Sequence, residues 1–322
     1  MLAPWFLDLL ACTSCGSRLD QPGEGELRCQ ACATSFVVRD GIPRFVPAEN
    51  YATNFGLQWN HFRQTQLDSH SGHPITRNRF LSYTGWTADD LKGALVLDVG
   101  CGAGRFTEIA LSMGVTVVAM DYSSAVEACR QNHAGEPRLG VVQGDIYAMP
   151  FRRGAFDRVY CFGVLQHTPA PAAAFRALLM PLAPGGQLAM DVYARQWWRF
   201  LASTYYWVRP ITRRLPPRVL YAACRRYIEA AWRISGLLGR LPLGRRANQA
   251  LLIADYRGAI DLTDDALREW AILDTFDHLA PRYDRPQRLS TVRRWFEEAG
   301  LEDVDIRYGH NGVQGRARKP AP

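Results

Sequence analysis

The sequence predicts an α/β protein with a doubly wound, mostly parallel sheet of seven strands, a small cysteine-stapled unit in front and a helical insertion after the fifth strand. Three observations carry this. Strand-like apolar runs alternate with helical stretches from Leu95 onward. The first run ends in a glycine turn, LVLDVGCGAGRF, and two Cys-x-x-Cys pairs stand within the first 32 residues.

The chain has 322 residues, 48% hydrophobic and 21% charged, enough to bury a sizeable core and too apolar for disorder over most of its length. No stretch approaches the length of a membrane span. The opening MLAPWFLDLLAC lacks the basic start and cleavage site of a signal peptide, so the expectation is a cytoplasmic protein with reduced thiols. Net charge is +7 but unevenly placed. Arg195 to Arg246 holds 12 arginines, no lysine and one acid, Glu229, giving +11 and leaving the rest of the chain at −4.

Residues 1–47 read as a separate unit. Cys12 and Cys15, then Cys29 and Cys32, form two knuckles with 13 residues between them. Four thiolates can close a tetrahedral Zn²⁺ site, and a unit this short needs such a staple to fold. With the coordination sphere full, the metal is structural.

Residues 48–93 read as helices covering the mouth of the next domain. Tyr51, Phe55 and Trp59 recur every four residues as one aromatic face, lining either core or site. His61, His70 and His73 have no spacing that makes a metal site.

Residues 94–194 hold the alternation. Leu95–Val99 is the first strand and Phe106–Met113 the helix after the turn. VTVVAMD ends at Asp121, LGVVQGD near Asp145, and FDRVYCFG and GGQLAMDVY follow as fourth and fifth strands. Ligands of such sheets bind at the carboxyl ends of the strands, where the polar residues fall.

The insertion, 195–288, carries Trp197, Trp198, Phe200, Tyr205, Tyr206, Trp207, Tyr221, Tyr227 and Trp232 among its arginines. Leu220, Cys224, Tyr227, Ala231 and Ile234 recur at helical spacing as the predicted inner face, and Arg226, Arg233 and Arg240 repeat every seven residues on another. A basic amphipathic helix can lie on anionic lipid, clamp phosphates or track RNA; it can equally be a lid with solvated arginines. Residues 289–322 read as a helix capped by Ser290 and stopped at Gly300, then a hairpin at the sheet edge.

The turn is Gly-x-Gly-x-Gly, with Arg105 in place of the third glycine of the dinucleotide fingerprint and Asp98 just before it. A carboxylate there disfavours a pyrophosphate and favours a cation. Asp121 can accept from both hydroxyls of a ribose, Tyr122 can pack on an adenine, and Asp145, with Ile146 beside it, can accept from the exocyclic amine. The set points to a cationic, adenosine-bearing ligand.

VLDVGCGAGRF, VVAMDYS, GDIYAMPF, FDRVYCFGVLQHTP and LAPGGQLAMDVY resemble, in order and spacing, the motifs of class I S-adenosylmethionine-dependent methyltransferases, type 11 in particular. The resemblance covers about Leu95–Tyr193. It implies that Asp98, Gly100, Cys101 and Gly102 surround the methionine part of the cofactor, Asp121 and Tyr122 the ribose side, and Asp145, Ile146 and Phe162 the remainder. His167, in GVLQHTP, falls where the fold places groups facing the methyl, as general base, loop-ordering residue or substrate contact. The first unit, with FVVRDGIPRFVP after its second knuckle, resembles the zinc-ribbon adaptor of RNA and translation-factor methyltransferases. DTFDHLAPRYDRPQ resembles a segment of methyltransferases acting in surface-polysaccharide and secondary-metabolite formation, which implies that His278, Arg282, Tyr283 and Asp284 line the acceptor pocket, the alternative being that they only join the lid to the sheet; Trp59, on the aromatic face, is a further acceptor-site candidate.

The absence of an Asn-Pro-Pro-Tyr or Asp-Pro-Pro-Tyr stretch argues against adenine-amine methylation, and Cys161 lacks the Pro-Cys context of cytosine-carbon methylation. The expected activity is methyl transfer to a small, sugar or lipid-linked acceptor, with peripheral membrane contact through 195–246 at the inner face. The alternative is an RNA methyltransferase whose ribbon and arginines bind phosphates; DNA is not an expected partner. A non-catalytic adaptor would not need Asp98, Asp121 and Asp145 together.

Overall fold

A computed structural model of the chain describes residues 1–47, 49–196 and 203–321. Its strands are β1 Leu19–Gly23, β2 Glu26–Cys29, β3 Ser35–Arg39, β4 Ile42–Arg44, β5 Leu95–Val99, β6 Thr116–Asp121, β7 Leu139–Gln143, β8 Phe156–Cys161, β9 Leu182–Val192, β10 Glu302–Gly309 and β11 Gly312–Arg318. They join in one sheet, ordered β1-β2-β3-β4-β7-β6-β5-β8-β9-β11-β10.

The last seven of that order are the predicted doubly wound sheet. β7, β6, β5, β8 and β9 run parallel, and β11 enters antiparallel between β9 and β10. The central strands are apolar runs buried on both faces, as helix-covered parallel strands require. Alternate residues serve opposite layers. Val96, Val117 and Val141 meet Phe80 and Ile109 on one side, while Leu97, Val118 and Val142 share the other core with Phe175 and Phe296. Strand order reverses at β5, which puts the mouth of the sheet at its carboxyl end.

Four further strands come from the cysteine unit, so the unit expected to stand apart continues the sheet. β4 runs parallel to β7, with Arg44 opposite Gln143. Phe6 and Leu10 sink into the same core as Val118 and Met120, and Leu10 bridges Phe151.

The cover consists of helices Thr53–His61, Asp68–Ser71, Ile75–Thr84 and Ala88–Leu91, the last held by a Thr87–Asp90 capping box. Helices Thr204–Thr212, Pro217–Gly239, Gly244–Ala250 and Asp264–Leu279 form the insertion. Trp197, Trp198 and Phe200 lie outside the described residues.

Two expectations need correction. The buried stripe of the long helix is Leu220, Cys224, Ile228, Trp232 and Ser235. Tyr227 and Ile234 face outward, 41% and 61% exposed. The helix turns this way because it leans on Leu267 and Ala271, and because Trp232 Nε1 reaches Asp264 at 2.8 Å and Ser235 Oγ reaches Asp255 at 2.9 Å. Polar partners 32 and 20 residues away decide the rotation, and a one-dimensional pattern does not contain them.

Ser290, the predicted cap, instead sits in the first turn of helix Leu289–Glu298, whose N-cap is Arg288 without a side-chain bond. The start is set from behind. Gln287 N–H donates to Tyr193 O and Arg195 N–H to Gln287 O, both at 2.8 Å, so the chain is already pinned when the helix begins.

Candidate active site

The glycine turn lies at the carboxyl end of β5. Gly100, Gly102 and Gly104 have φ of +84°, +54° and +87°, where side chains are strained. Close packing adds to this. A Cβ on Gly100 would meet Val164 Cγ2 at 2.1 Å, and one on Gly102 would stand 3.2 Å from the Trp59 ring. The turn is a backbone cradle walled by Val164 and Trp59.

Asp121, ending β6, binds back to that turn. Its carboxylate accepts from Gly102 N–H at 3.0 Å and from Ser123 N–H and Oγ–H at 2.8 and 2.7 Å. Burial raises its pKa while these donors oppose the rise. The residue keeps accessible surface, so the carboxylate lines the mouth. Asp145 follows the end of β7, is also partly exposed, and accepts from Tyr147 N–H at 2.9 Å. Tyr122 packs on Tyr51 at 4.7 Å, and Tyr51 meets Tyr283 edge-on at 5.3 Å. Tyr51, Phe55 and Trp59 are all half-buried and turned to this mouth, Phe55 lying 5.1 Å from the His167 ring.

Asp98 is placed differently from its neighbours. It is 2% exposed, accepts from Thr107 Oγ1–H at 2.7 Å, and burial pushes its carboxyl up to about 7. It stands behind the turn. Cys101 and Ile146 are buried beside the cradle, and Phe162 stacks on Tyr160 among Tyr83 and Phe106, beneath it.

His167 closes a 3₁₀ turn, Leu165–His167, beyond β8. Its Nδ1 is 3.0 Å from Tyr283 O. A carbonyl only accepts, so Nδ1 carries the proton and Nε2 of the neutral ring keeps its lone pair. Burial holds the pKa below the usual value, against Asp277 and Asp284, so the ring stays neutral. Arg209 fixes the same loop, pairing with Asp284 and donating to Pro281 O at 3.0 Å and Tyr283 O at 3.3 Å.

The remaining predicted acceptor residues are not brought together. Tyr283 reaches the site through Tyr51 and His167. Arg282 is exposed, its guanidinium 5.8 Å from the Tyr283 ring. His278 points outward on its helix and stacks on Tyr205 at 4.6 Å.

In the first unit Cys12, Cys15, Cys29 and Cys32 converge, their sulfurs all within 4.8 Å and three pairs at 3.4–3.6 Å. A tetrahedral Zn²⁺ with bonds of about 2.3 Å needs sulfurs about 3.8 Å apart. The four thiols fit that ion. Among the described residues no other cluster of histidine, cysteine or acid does.

Residues 97–190 match the family described as Methyltransferase domain, and residues 4–41 match Trm112p-like protein. The chain carries a methyltransferase domain. Its N-terminal unit is Trm112p-like. Ubiquinone biosynthesis O-methyltransferase of Xanthomonas oryzae pv. oryzae is 37% identical over 109 residues, 33% of this chain and 46% of that protein. The version from Xanthomonas campestris pv. campestris is 36% identical over 108 residues, 33% of this chain and 45% of its own. The matched stretch thus spans about half the length of these curated relatives. Human N-acetylserotonin methyltransferase, solved with SAM, superposes with a TM-score of 0.47 at 16% identity, over 86% of this chain and 61% of that one.

Several polar residues around the methyltransferase domain escaped sequence reasoning. Arg79, from helix Ile75–Thr84, pairs at 2.8 Å with Asp191, which is fully buried at the end of β9. Asn311 Nδ2 donates to the same carboxylate at 3.2 Å. Tyr256 donates its hydroxyl to Asp274, and Tyr193 packs edge-on to His167 at 5.4 Å. Only Arg105 gave a signal. A cation in the first turn of a helix opposes the macrodipole and calls for a reason.

Proposed function

We propose that the protein transfers the methyl group of S-adenosylmethionine to an oxygen of a small or lipid-linked acceptor. The observation that supports this most is the tie between Asp121 and the Gly102 N–H, which presents a carboxylate across a side-chain-free turn. When bound, the cofactor supplies an activated, cationic methyl donor. Asp121 accepts from the ribose hydroxyls and Asp145 from the adenine amine, with Tyr51 and Tyr122 as an aromatic wall. Gly100, Cys101 and Gly102 enclose the methionine end, with Asp98 bracing the turn from behind and Phe162 supporting it from beneath; Ile146 backs the adenine side. His167 Nε2 takes the acceptor proton, its ring held by the Tyr283 carbonyl. Trp59 and Phe55 exclude water from the gap between them. The four cysteines hold a structural Zn²⁺ with no open position.

The outward face of the insertion supports a lipid-linked acceptor over RNA. Trp207, Ile211, Ile234, Leu237, Leu241 and Leu243 are 58–69% exposed, and Val219 is 55% exposed. On the long helix Val219, Ile234 and Leu237 share one stripe bordered by Arg226, Arg233 and Arg240. Aliphatic side chains gain nothing from phosphates or bases but gain from acyl chains, while the arginines meet anionic headgroups. Among the described residues no helix is long and apolar enough to cross a membrane. The reading places the enzyme at the inner membrane face, touching it through the exposed stripe of helix Pro217–Gly239.

The test is incubation with methyl-labelled S-adenosylmethionine and bacterial extract, then fractionation of the label. Label in the organic-soluble pool is expected. Label lost on RNase treatment replaces this reading with RNA methylation, and parent protein that does not bind the cofactor in calorimetry removes both.

A further inference from the structure

His167 is 8% exposed, and three elements meet around its ring. Phe55, from helix Thr53–His61, lies at 5.1 Å, and Tyr193, just beyond β9, at 5.4 Å. The third is the loop 280–288, between helices Asp264–Leu279 and Leu289–Glu298. Backbone bonds pin one half of that loop. Arg285 N–H donates to Gln166 O and Gln287 N–H to Tyr193 O, both at 2.8 Å. The other half, Pro281–Asp284, meets Arg209, which reaches in from helix Thr204–Thr212 of the insertion.

Arg209 Nη1 pairs with Asp284, while Nη2 donates to Pro281 O at 3.0 Å and to Tyr283 O at 3.3 Å. The Tyr283 oxygen is also the one that faces His167 Nδ1 at 3.0 Å. One carbonyl oxygen therefore joins the guanidinium to the imidazole, and both of its lone pairs are used. The pair is enclosed, with Arg209 11% and Asp284 9% exposed, and Asp284 Oδ1 is buried without a partner. Such a pair gains little over well-packed neutral groups. Two carbonyls could be satisfied by an uncharged amide. What the amide would lack is a positive charge one hydrogen bond from the ring.

That charge acts on the proton of His167. Burial is the strongest influence and disfavours the imidazolium, and Arg209 adds to it. Asp277, from helix Asp264–Leu279, and Asp284, on the loop, pull the other way, as does the Tyr283 carbonyl. Tyr193 is held protonated by its burial and by the acids around it, so it adds no charge. Asp277 is itself held by Gln58 Nε2 at 3.0 Å, from the same cover helix as Phe55. The balance is thus set from both sides of the ring, and Arg209 is the cation in it.

We propose that Arg209 is a positioning residue for His167: acting through the Tyr283 carbonyl, it fixes the ring with its proton on Nδ1 and keeps Nε2 free to accept one. The inference rests on the reading of His167 as the base and adds the residue that tunes it. A structural clamp for the loop would need only its donors; a tuning residue needs its charge.

The experiment is NMR of the full chain labelled at histidine, with the His167 signals assigned by their loss in His167→Gln. Long-range proton–nitrogen spectra at pH 7 should show His167 neutral and protonated on Nδ1, and its Cε1–H signal should titrate below the usual value of about 6.5. Arg209→Gln, which keeps a donor and loses the charge, should raise that midpoint by about one pH unit. Arg209→Lys should restore it. Asp284→Asn, which strips the guanidinium of its counter-charge, should lower it. Arg209→Gln combined with Asp284→Asn leaves no buried charge unpaired, so it keeps the test open where a single variant fails to fold, and its midpoint should lie above that of Asp284→Asn alone. The other six histidines report whether each variant is folded. An Nε2-protonated ring in the parent, or midpoints that do not move with the charge at 209, overturn the proposal. The titration uses neither cofactor nor acceptor, so its failure leaves methyl transfer to be judged by the labelling experiment, and failure of that experiment leaves the tuning of His167 to be judged here.

Discussion

The cradle and the insertion present their chemistry in opposite ways. In the cradle each residue is placed by one strand and its own backbone: Gly100 and Gly102 by the turn after β5, Asp121 by the end of β6, Asp145 by the end of β7. In the insertion, placement comes from contact between helices distant in sequence, as when Trp232 finds Asp264 and Ser235 finds Asp255. The first kind of site survives as a motif. The second is a property of the assembled fold. The two meet at one loop, where Arg209 pairs with Asp284 and Tyr283 holds His167. The insertion therefore reaches the loop that orients His167, the proposed base.

The largest test asks to which side the cysteine unit belongs. Arg44 on β4 donates to Gln143 Oε1 at 3.0 Å, and Gln143 Nε2 donates to Tyr122 O at 3.2 Å, so the ribbon is wired to the cradle. A structural Zn²⁺ contributes on the order of 10 kcal/mol to the fold it closes. Cys12→Ser with Cys15→Ser should abolish stoichiometric zinc and lower the unfolding temperature. It should also weaken cofactor binding more than vesicle binding. Parent protein purified without zinc, or a double variant as stable as the parent, breaks the assignment.

Next comes Asp98, whose carboxyl burial pushes up to about 7 from the ordinary aspartate value of 3.8. Between those values the native state holds a proton that the unfolded chain has lost. The stabilisation is full below about pH 4 and disappears as pH rises through about 7. A rise of about three units is worth at most about 4 kcal/mol. Denaturant unfolding of the ligand-free protein should lose stability over this window, and Asp98→Asn should flatten the loss. Parallel pH profiles for the two proteins would refute it.

How much was legible follows the same division. The seven-strand sheet was readable because buried parallel strands are uniformly apolar and punctuated at their carboxyl ends, and the four-cysteine cluster because Cys-x-x-Cys spacing is short-range. The outward turn of Tyr227 and Ile234 was not, since the inner face is fixed by Asp255 and Asp264. Ser290 failed as a cap because strand-like bonds at Gln287 fix the helix start. Arg79 and Asp191 meet only in the assembled fold, from positions 112 residues apart, and no local pattern joins them.

Asp121 gives a sharper test of the cradle. Its two oxygens are already oriented by Gly102 and Ser123, so a bound ribose gains charge-assisted bonds without reorganisation. Asp121→Ala should weaken S-adenosylmethionine about 100-fold in calorimetry, the worth of two such bonds. Vesicle binding should be unchanged. An alanine variant that binds as tightly as the parent would take the ribose role away from this carboxylate.

The smallest effect on the folded protein, and the one that bears most on the insertion, is expected for Ile234→Asp with Leu237→Asp. Both side chains are exposed, 61% and 63%, so stability and cofactor affinity should change by no more than about 0.5 kcal/mol. Sedimentation with phosphatidylglycerol vesicles should fall at least about tenfold, because two apolar anchors are lost and two charges now face anionic headgroups. Arg226→Glu with Arg233→Glu should weaken the same binding by removing the electrostatic part, and high salt should mimic it. If the parent ignores vesicles, or the aspartate variant sediments as before, the exposed stripe is not a membrane face and the acceptor must reach His167 from solution.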